Sequence, residues 1–373
     1  MAVIIYKQPE GTLLPAYNNA IIEFGSDTAM AARALVKVGT FTFELTPNQG
    51  VFYINLKDVI TLLFNQNAFA DTVSVPVPST FLYPDANLYL EQEVILEVIL
   101  YDGQVETFTQ TFSFVKAVAQ QLLPLFTQNN LLRVLVPSDS STKQVTYFEG
   151  LPMDVALYSN SVRTVQLTHV ATGTTVSVNI LKGVNRLFLS NGETGQGFEA
   201  QMPLFVGLNE ITITVDTTHS SSLFITKRET DCGVYLKWLN ASGGWSYWRF
   251  HKYYEESLKT SDLDTINNDF FNLEEAQSGQ LSRGKETERS LKLSSGFLNK
   301  EEKLLVSELF AAPKVYYYHQ EPMQPFALTD WKEVNVKSGS YAVNNTRLQK
   351  VEFRPVIELP MQYAQTYAGR SIF

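Results

Sequence analysis

Val234-Tyr-Leu-Lys-Trp-Leu-Asn-Ala-Ser-Gly-Gly-Trp-Ser-Tyr-Trp-Arg-Phe250 is the most informative stretch of this chain. Two aromatic-rich runs flank Asn240-Ala-Ser-Gly-Gly244, a turn composition, so the segment reads as a β-hairpin. Trp238, Trp245, Tyr247, Trp248 and Phe250 fall within 13 residues. Side chains alternate across a strand, so Trp248 and Phe250 share a face, whereas Tyr235 and Trp238 need not. So dense an apolar surface must be covered. The expectation is that Trp238, Trp245, Trp248 and Phe250 form a domain core or a subunit interface, where Trp and Tyr are enriched. A sugar-stacking platform is the third option.

Working outward, the hairpin belongs to a segment, 226–373, that is electrically neutral overall. A polar stretch follows it, Lys259 to Arg289, with Leu263, Ile266, Phe270, Phe271 and Leu273 as its sparse apolar residues. It reads as a long loop that extends from the domain and orders against a neighbouring subunit. A helix is predicted from Lys300 to Phe310, with Asn299 and Glu302 spaced as a capping pair and Pro313 as the stop. Strands are predicted at 314–318, 331–336 and 348–359.

Residues 118–225 carry a net charge of −2 and read as purely β. Candidate strands are 131–136, 154–158, 164–168, 175–180, 186–189 and 210–215. Turn clusters at Pro137–Thr142, Ala171–Gly173 and Asn191–Gly197 separate them. Short strands at such spacing indicate a sandwich, here an immunoglobulin-like one without the cysteine pair of antibody domains.

Residues 1–117 carry −7. Val36–Leu45 alternates around Gly39 as one half-buried strand does. Pro47–Gly50 is a turn signal, and Leu56, Val59, Ile60, Leu63 and Phe64 recur at helical spacing after Asn55, a candidate N-cap. The Pro-punctuated run Val75–Ser79 is incompatible with regular pairing. Glu93–Leu100 and Glu106–Val115 flank Asp102-Gly103, a strong hairpin signal. The fold expected is mainly β: two β-sandwich modules, 1–117 and 118–225, then a mixed β domain, 226–373, with one short helix.

Composition narrows the function. The 373 residues are 45% hydrophobic and 12% aromatic, with 24 Phe and 18 Tyr, which argues for ordered β structure. The net charge of −9 weighs against nucleic-acid binding. The single cysteine, Cys232, excludes an intrachain disulfide and a Cys-rich zinc site. Neither a signal peptide nor a spanning helix is expected, so no membrane partner is.

The chemistry-bearing residues form no familiar constellation. The four histidines, His169, His219, His251 and His319, lack metal-ligand spacing. The pairs Glu255-Glu256, Glu274-Glu275 and Glu301-Glu302 are sequence neighbours, which cannot face each other across a cleft from a strand. Gly192-Glu-Thr-Gly195-Gln-Gly197 lacks the Lys-Ser/Thr ending of a phosphate loop. Asp262, Asp264, Asn267, Asn268 and Asp269 lack calcium-loop spacing. No catalytic, cofactor-binding or metal-ligating residue is therefore assigned, and no cofactor is expected.

Four landmarks carry a resemblance. They are Pro15-Ala-Tyr-Asn18 with Gly50-Val-Phe-Tyr-Ile-Asn55; Val145-Thr-Tyr-Phe-Glu-Gly-Leu-Pro152; Cys232 through Phe250; and the helix from Glu301 running into Ala312-Pro-Lys-Val315, with a closing strand at 351–360. Together they resemble virion structural proteins of the tail or baseplate of tailed phages and prophages of Bacteroidetes. The resemblance runs through nearly the whole chain in order, apart from Lys259–Arg289, and brings no catalytic residues. It implies a non-enzymatic subunit of the distal tail or baseplate, synthesised in the host cytoplasm and located in the virion. Its partners would be copies of itself in a symmetric ring and other phage tail proteins. Two alternatives stay open: a receptor- or carbohydrate-binding tail module that exposes Trp245 and Trp248, and a surface adhesin of immunoglobulin-like domains.

Overall fold

The computed structural model describes residues 2–27, 31–67, 69–73, 80–119, 131–138, 143–193, 197–215, 219–267, 280–320, 322–324, 326–341 and 352–360. The protein is mainly β throughout. None of the described helices is long and apolar enough to cross a membrane.

The N-terminal module is built on the hairpin Tyr89–Leu100 and Val105–Val115, which turns at Asp102-Gly103. Gly103 takes φ 86°, and the Asp102 carboxylate accepts from the Gln104 N–H at 3.0 Å. Val94, Leu96, Val98 and Leu100 alternate inward from this hairpin. Its sheet has the order Leu14–Pro15, Val105–Val115, Tyr89–Leu100, Ala31–Val38, Phe41–Leu45. A three-stranded sheet, Val3–Lys7, Ile21–Ser26 and Phe52–Asn55, supplies the second layer. The helix Lys57–Phe64 buries Val59, Ile60 and Phe64.

Two local expectations are corrected here. Val36–Leu45 is the bend of a hairpin, Ala31–Val38 against Phe41–Leu45, with Gly39 at φ 58° in the turn. Period-2 alternation survives a tight turn, so periodicity alone does not distinguish one strand from two. The helix N-cap is Leu56, one residue later than expected. Asn55 still contributes, because its side-chain oxygen accepts from the N–H groups of Lys57 and Ala20, each at 3.1 Å.

The second module is a two-sheet sandwich. A five-stranded sheet runs Lys143–Phe148, Ser220–Arg228, Gly207–Thr214, Arg163–His169, Thr175–Ile180. Two of these strands, Lys143–Phe148 and Ser220–Arg228, were not expected; they pair in parallel. The facing sheet runs Leu132–Val134, Pro152–Ser159, Gly183–Asn191, Leu82–Pro84. Pro152–Ser159 and Gly183–Asn191 are buried at every residue. That pattern belongs to a strand covered on both faces. One face meets the five-stranded sheet and the other meets the aromatic hairpin, where Ala156 lies against Gly244.

The expected boundaries at 117 and 225 do not match the packing. Leu82–Pro84, inside the first segment, forms the edge strand of the second module through pairing with Asn185–Leu187. One apolar cluster runs from Phe81 and Leu88 through the sandwich to Trp238, Trp331 and Ile357. A second cluster, from Leu14 to Phe114, belongs to the N-terminal module alone.

The third region holds a seven-stranded sheet: Trp245–Phe250, Val234–Leu239, Val315–Tyr318, Trp331–Val336, Val356–Glu358, Lys285–Lys292, Glu255–Asp262. Its two edge strands are joined by residues 251–254 alone. Flat, such a sheet would hold its edges about 29 Å apart, whereas that link spans at most about 18 Å. The sheet is therefore strongly curled. The helix Lys300–Ser307 begins with the expected capping box between Asn299 and Glu302.

The polar stretch is not a loop in its described part. Glu255–Asp262 pairs with Lys285–Lys292, and Thr265–Asn267 pairs with Gln280–Ser282. The two pairings make a two-stranded arm; Phe270, Phe271 and Leu273 lie outside the described residues. Among the described pairings only Ser290, Leu291 and Lys292 of the arm join the rest of the sheet, through Val356–Glu358.

The turn of the aromatic hairpin gives a first test. Gly243 has φ +88°, and a Cβ there would lie 2.6 Å from Val115 Cγ2 in the N-terminal module. Gly243→Ala should lower stability by about 1–3 kcal/mol through strain and clash, measured as a shift in urea midpoint. Gly173→Ala, also at positive φ but facing open space, should cost visibly less.

Candidate functional site

All four aromatic candidates are core residues. Trp238 and Phe250 are fully enclosed, and Trp245 and Trp248 are 4% and 2% exposed. Trp248 meets Phe148 edge-on at 5.5 Å between centroids and donates its indole N–H to the Ser295 carbonyl at 3.4 Å. Arg228 lies over Trp248, while Arg249 covers Phe148 and donates to the Cys232 carbonyl at 3.1 Å. The exposed stacking platform considered for Trp245 and Trp248 is not formed.

The hairpin's other face carries what the sequence concealed. Lys237 interrupts the otherwise apolar strand Val234–Leu239 and is buried. Beside it, Arg186 forms a bidentate pair with Asp154, at 3.0 and 2.6 Å, and a second with Asp71, at 2.6 and 3.3 Å. Asp85 stands 3.5 Å away, also accepting from the Asn87 N–H. Lys237 Nζ reaches Asp71 at 2.7 Å and sits 4.3 Å from the ring centroid of Trp331, with Tyr316 and Trp245 completing an aromatic box. Tyr247 donates its hydroxyl to Asp154.

Two cations thus face three carboxylates in a space closed to water. Burial works against the ionised form of Asp71, but Arg186 and Lys237 outweigh it and hold that carboxyl well below the usual range. Burial lifts Asp85, with Arg186 opposing. Burial lowers Lys237, with Asp71 opposing. The carboxylates are spent on pairing with side chains of other elements. The arrangement is a clamp across three segments of the chain: Asp71 and Asp85 from the link after the first helix, Asp154 and Arg186 from the sandwich, Lys237 and Tyr247 from the hairpin.

The other sequence candidates stay apart from this clamp. His169 is buried and held between Asn209 and the Thr172 N–H. Glu255 and Glu256 are exposed on the arm, paired with Lys292 and Arg289. Glu302 is buried in its capping box and pairs with Arg228. Asp262 and Asp264 lie near Lys285 and Arg283. Glu274, Glu275, Asn268, Asp269 and Gly195 lie outside the described residues. Among the described residues, no group of three His, Cys, Asp or Glu side chains could hold a metal ion. The signal that could have exposed the clamp was Lys237, a lone charge in a run of large apolar residues.

No family model matches the chain, and no curated protein matches it. Among solved structures, the fibronectin(III)-like modules of Clostridium thermocellum CbhA align over 61% of this chain and 94% of their own at 11% identity, with a TM-score of 0.19. A titin structure aligns over 62% and 100% at 8% identity, with a TM-score of 0.27. The periplasmic chaperone SfaE aligns over 61% and 100% at 7% identity, with a TM-score of 0.18. Scores this low add nothing to the sheet topology.

Two measurements test the site. Trp238→Ala and Trp248→Ala should each cost about 3–5 kcal/mol, and unchanged melting in both would refute the core assignment. Arg186→Met leaves the buried Asp154 and Asp85 without a cation and Asp71 with Lys237 alone, and should cost about 3–5 kcal/mol by chemical denaturation. Lys237→Met should cost less, because Asp71 retains Arg186 and the thioether fills the aromatic box.

Proposed function

We propose that this chain is a non-enzymatic structural subunit of a bacteriophage tail, in the distal tail or baseplate, which assembles head-to-tail into a symmetric ring. The observation that carries the reading is the arm. All eight residues of Glu255–Asp262 are exposed. An isolated two-stranded ribbon is marginal in water. This one is laced by Lys259–Glu288, Arg289–Glu256 and Lys292–Glu255, exposed pairs that contribute little each. Its outer strand also leaves a row of backbone groups unpaired among the described strands, which suits β-augmentation by a neighbour. In a closed head-to-tail ring every arm finds the next subunit. The clamped body suits a part that must hold fixed surfaces. The particle itself comes from the resemblance of the sequence landmarks.

The test is to shorten the arm by joining Asp262 to Lys285, a cross-strand pair, through an Asn-Gly turn. The shortened protein should melt within about 2 °C of the parent, since none of the described core residues lies within 263–284. It should fail to enter tail particles, and trypsin should cut the parent at Lys285 or Arg289 faster in the free protein than in the particle. Normal incorporation of the shortened chain, or equal protection in both states, would refute the arm's role.

A further inference from the structure

Where the N-terminal module meets the aromatic hairpin and the C-terminal helix lies a pocket of about 440 Å³. That is within the ordinary range for small-molecule sites. Its walls are largely apolar, including Leu239, Leu304 and the stacked rings of Tyr17 and Phe69, 5.9 Å apart. Three titratable side chains line it: Tyr17, Lys116 and Glu308.

The two charged groups are not equivalent. Lys116 Nζ donates to the Phe64 carbonyl at 3.1 Å and lies 4.7 Å from the Phe69 ring centroid. Glu308 opens the 3-10 turn Glu308–Ala311, and one of its oxygens accepts from the Ala241 N–H at 3.1 Å. Among the described residues no cation lies within ion-pair distance of it. Burial pushes its carboxyl up to about 7, with the Ala241 N–H alone opposing. Burial likewise raises Tyr17 and lowers Lys116.

We propose that this pocket binds an organic ammonium, an alkyl- or arylamine whose body packs against Tyr17, Phe69 and Leu239 and whose charged nitrogen pairs with the Glu308 carboxylate. An anionic ligand would have Lys116 alone, already engaged, and would leave Glu308 without a counter-charge. A neutral ligand would seal Glu308 further from water and offer it a hydrogen bond but no counter-charge. An ammonium provides the missing charge where the surroundings are poor in water and the pairing is strongest. Lys116 repels it from the Phe69 end, so the ligand has one orientation.

The pH dependence has a definite sign. Glu308 has a raised carboxyl in the folded chain. The stability it contributes is present below the ordinary carboxylate range and lost as pH rises through about 7. An ammonium reverses this, because it favours the ionised form. Binding should therefore strengthen from pH 6 to pH 8.

The experiment is titration calorimetry of the full chain with n-hexylamine, hexan-1-ol and hexanoate at both pH values. Hexylamine should bind at least about tenfold tighter than hexanol at pH 8 and by a smaller factor at pH 6. Glu308→Gln should keep hexanol binding and lose the preference for the amine. Its melting temperature should also fall less than the parent's between pH 6 and 8, which shows that it is folded. Hexanoate binding as tightly as hexylamine, no detectable hexylamine binding, or an unchanged preference in Glu308→Gln would each overturn the proposal. None of these outcomes depends on the tail assignment.

Discussion

Arg186 has no route to water: its side chain is 2% exposed, and its guanidinium is surrounded by Asp71, Asp85, Asp154 and Tyr247. Removing such a charge from water is expensive, and only near-ideal pairing offsets the cost. The pairing partners come from three parts of the chain. If any one of the three shifted, a carboxylate or the guanidinium would be left without its counter-charge in an apolar space. The clamp therefore converts an arrangement of β modules into a single register. Apolar packing alone tolerates sliding; bidentate geometry does not.

The central sheet of the sandwich shows how this constraint propagates. Pro152–Ser159 and Gly183–Asn191 bury both faces, so the charges they carry must meet partners within the fold. Asp154 and Arg186 do so on the face turned towards the hairpin. On the sandwich's own side, Glu199 receives Lys227 and the Tyr147 hydroxyl, a smaller instance of the same solution. The arm's outer strand, Glu255–Asp262, follows opposite rules, with every residue exposed and its ion pairs at the surface.

The β class, the hairpin at Asp102-Gly103, the aromatic hairpin and the capping box at Asn299 were legible because each is a local pattern with a short period or a fixed offset. The sandwich was legible only in part. Lys143–Phe148 and Ser220–Arg228 are rich in Ser, Thr and Lys, and they pair in parallel across more than seventy residues, so no turn signal links them. The clamp was illegible for a related reason. Asp71, Asp85, Asp154 and Arg186 each resemble ordinary surface charges in sequence, only Lys237 stands out, and their meeting depends on sheet order, which has no local code. The Lys259–Arg289 stretch misled in the other direction, because a ribbon held by alternating charges lacks the apolar periodicity that marks a strand.

The edge strand Leu82–Pro84 has a consequence for synthesis. Its pairing partner, Gly183–Asn191, is about a hundred residues further along the chain. At ribosomal speeds of about 5–20 residues per second, that partner emerges roughly 5 to 20 s later. The N-terminal module can close around its own core in that time, but Phe81, Leu82 and Leu88 must wait with their apolar surface uncovered. Over that interval the nascent chain presents an adhesive segment between a finished domain and an unfinished one. Slow translation downstream of residue 90 would lengthen this exposure, and a chaperone that shields short apolar strands would have its substrate there.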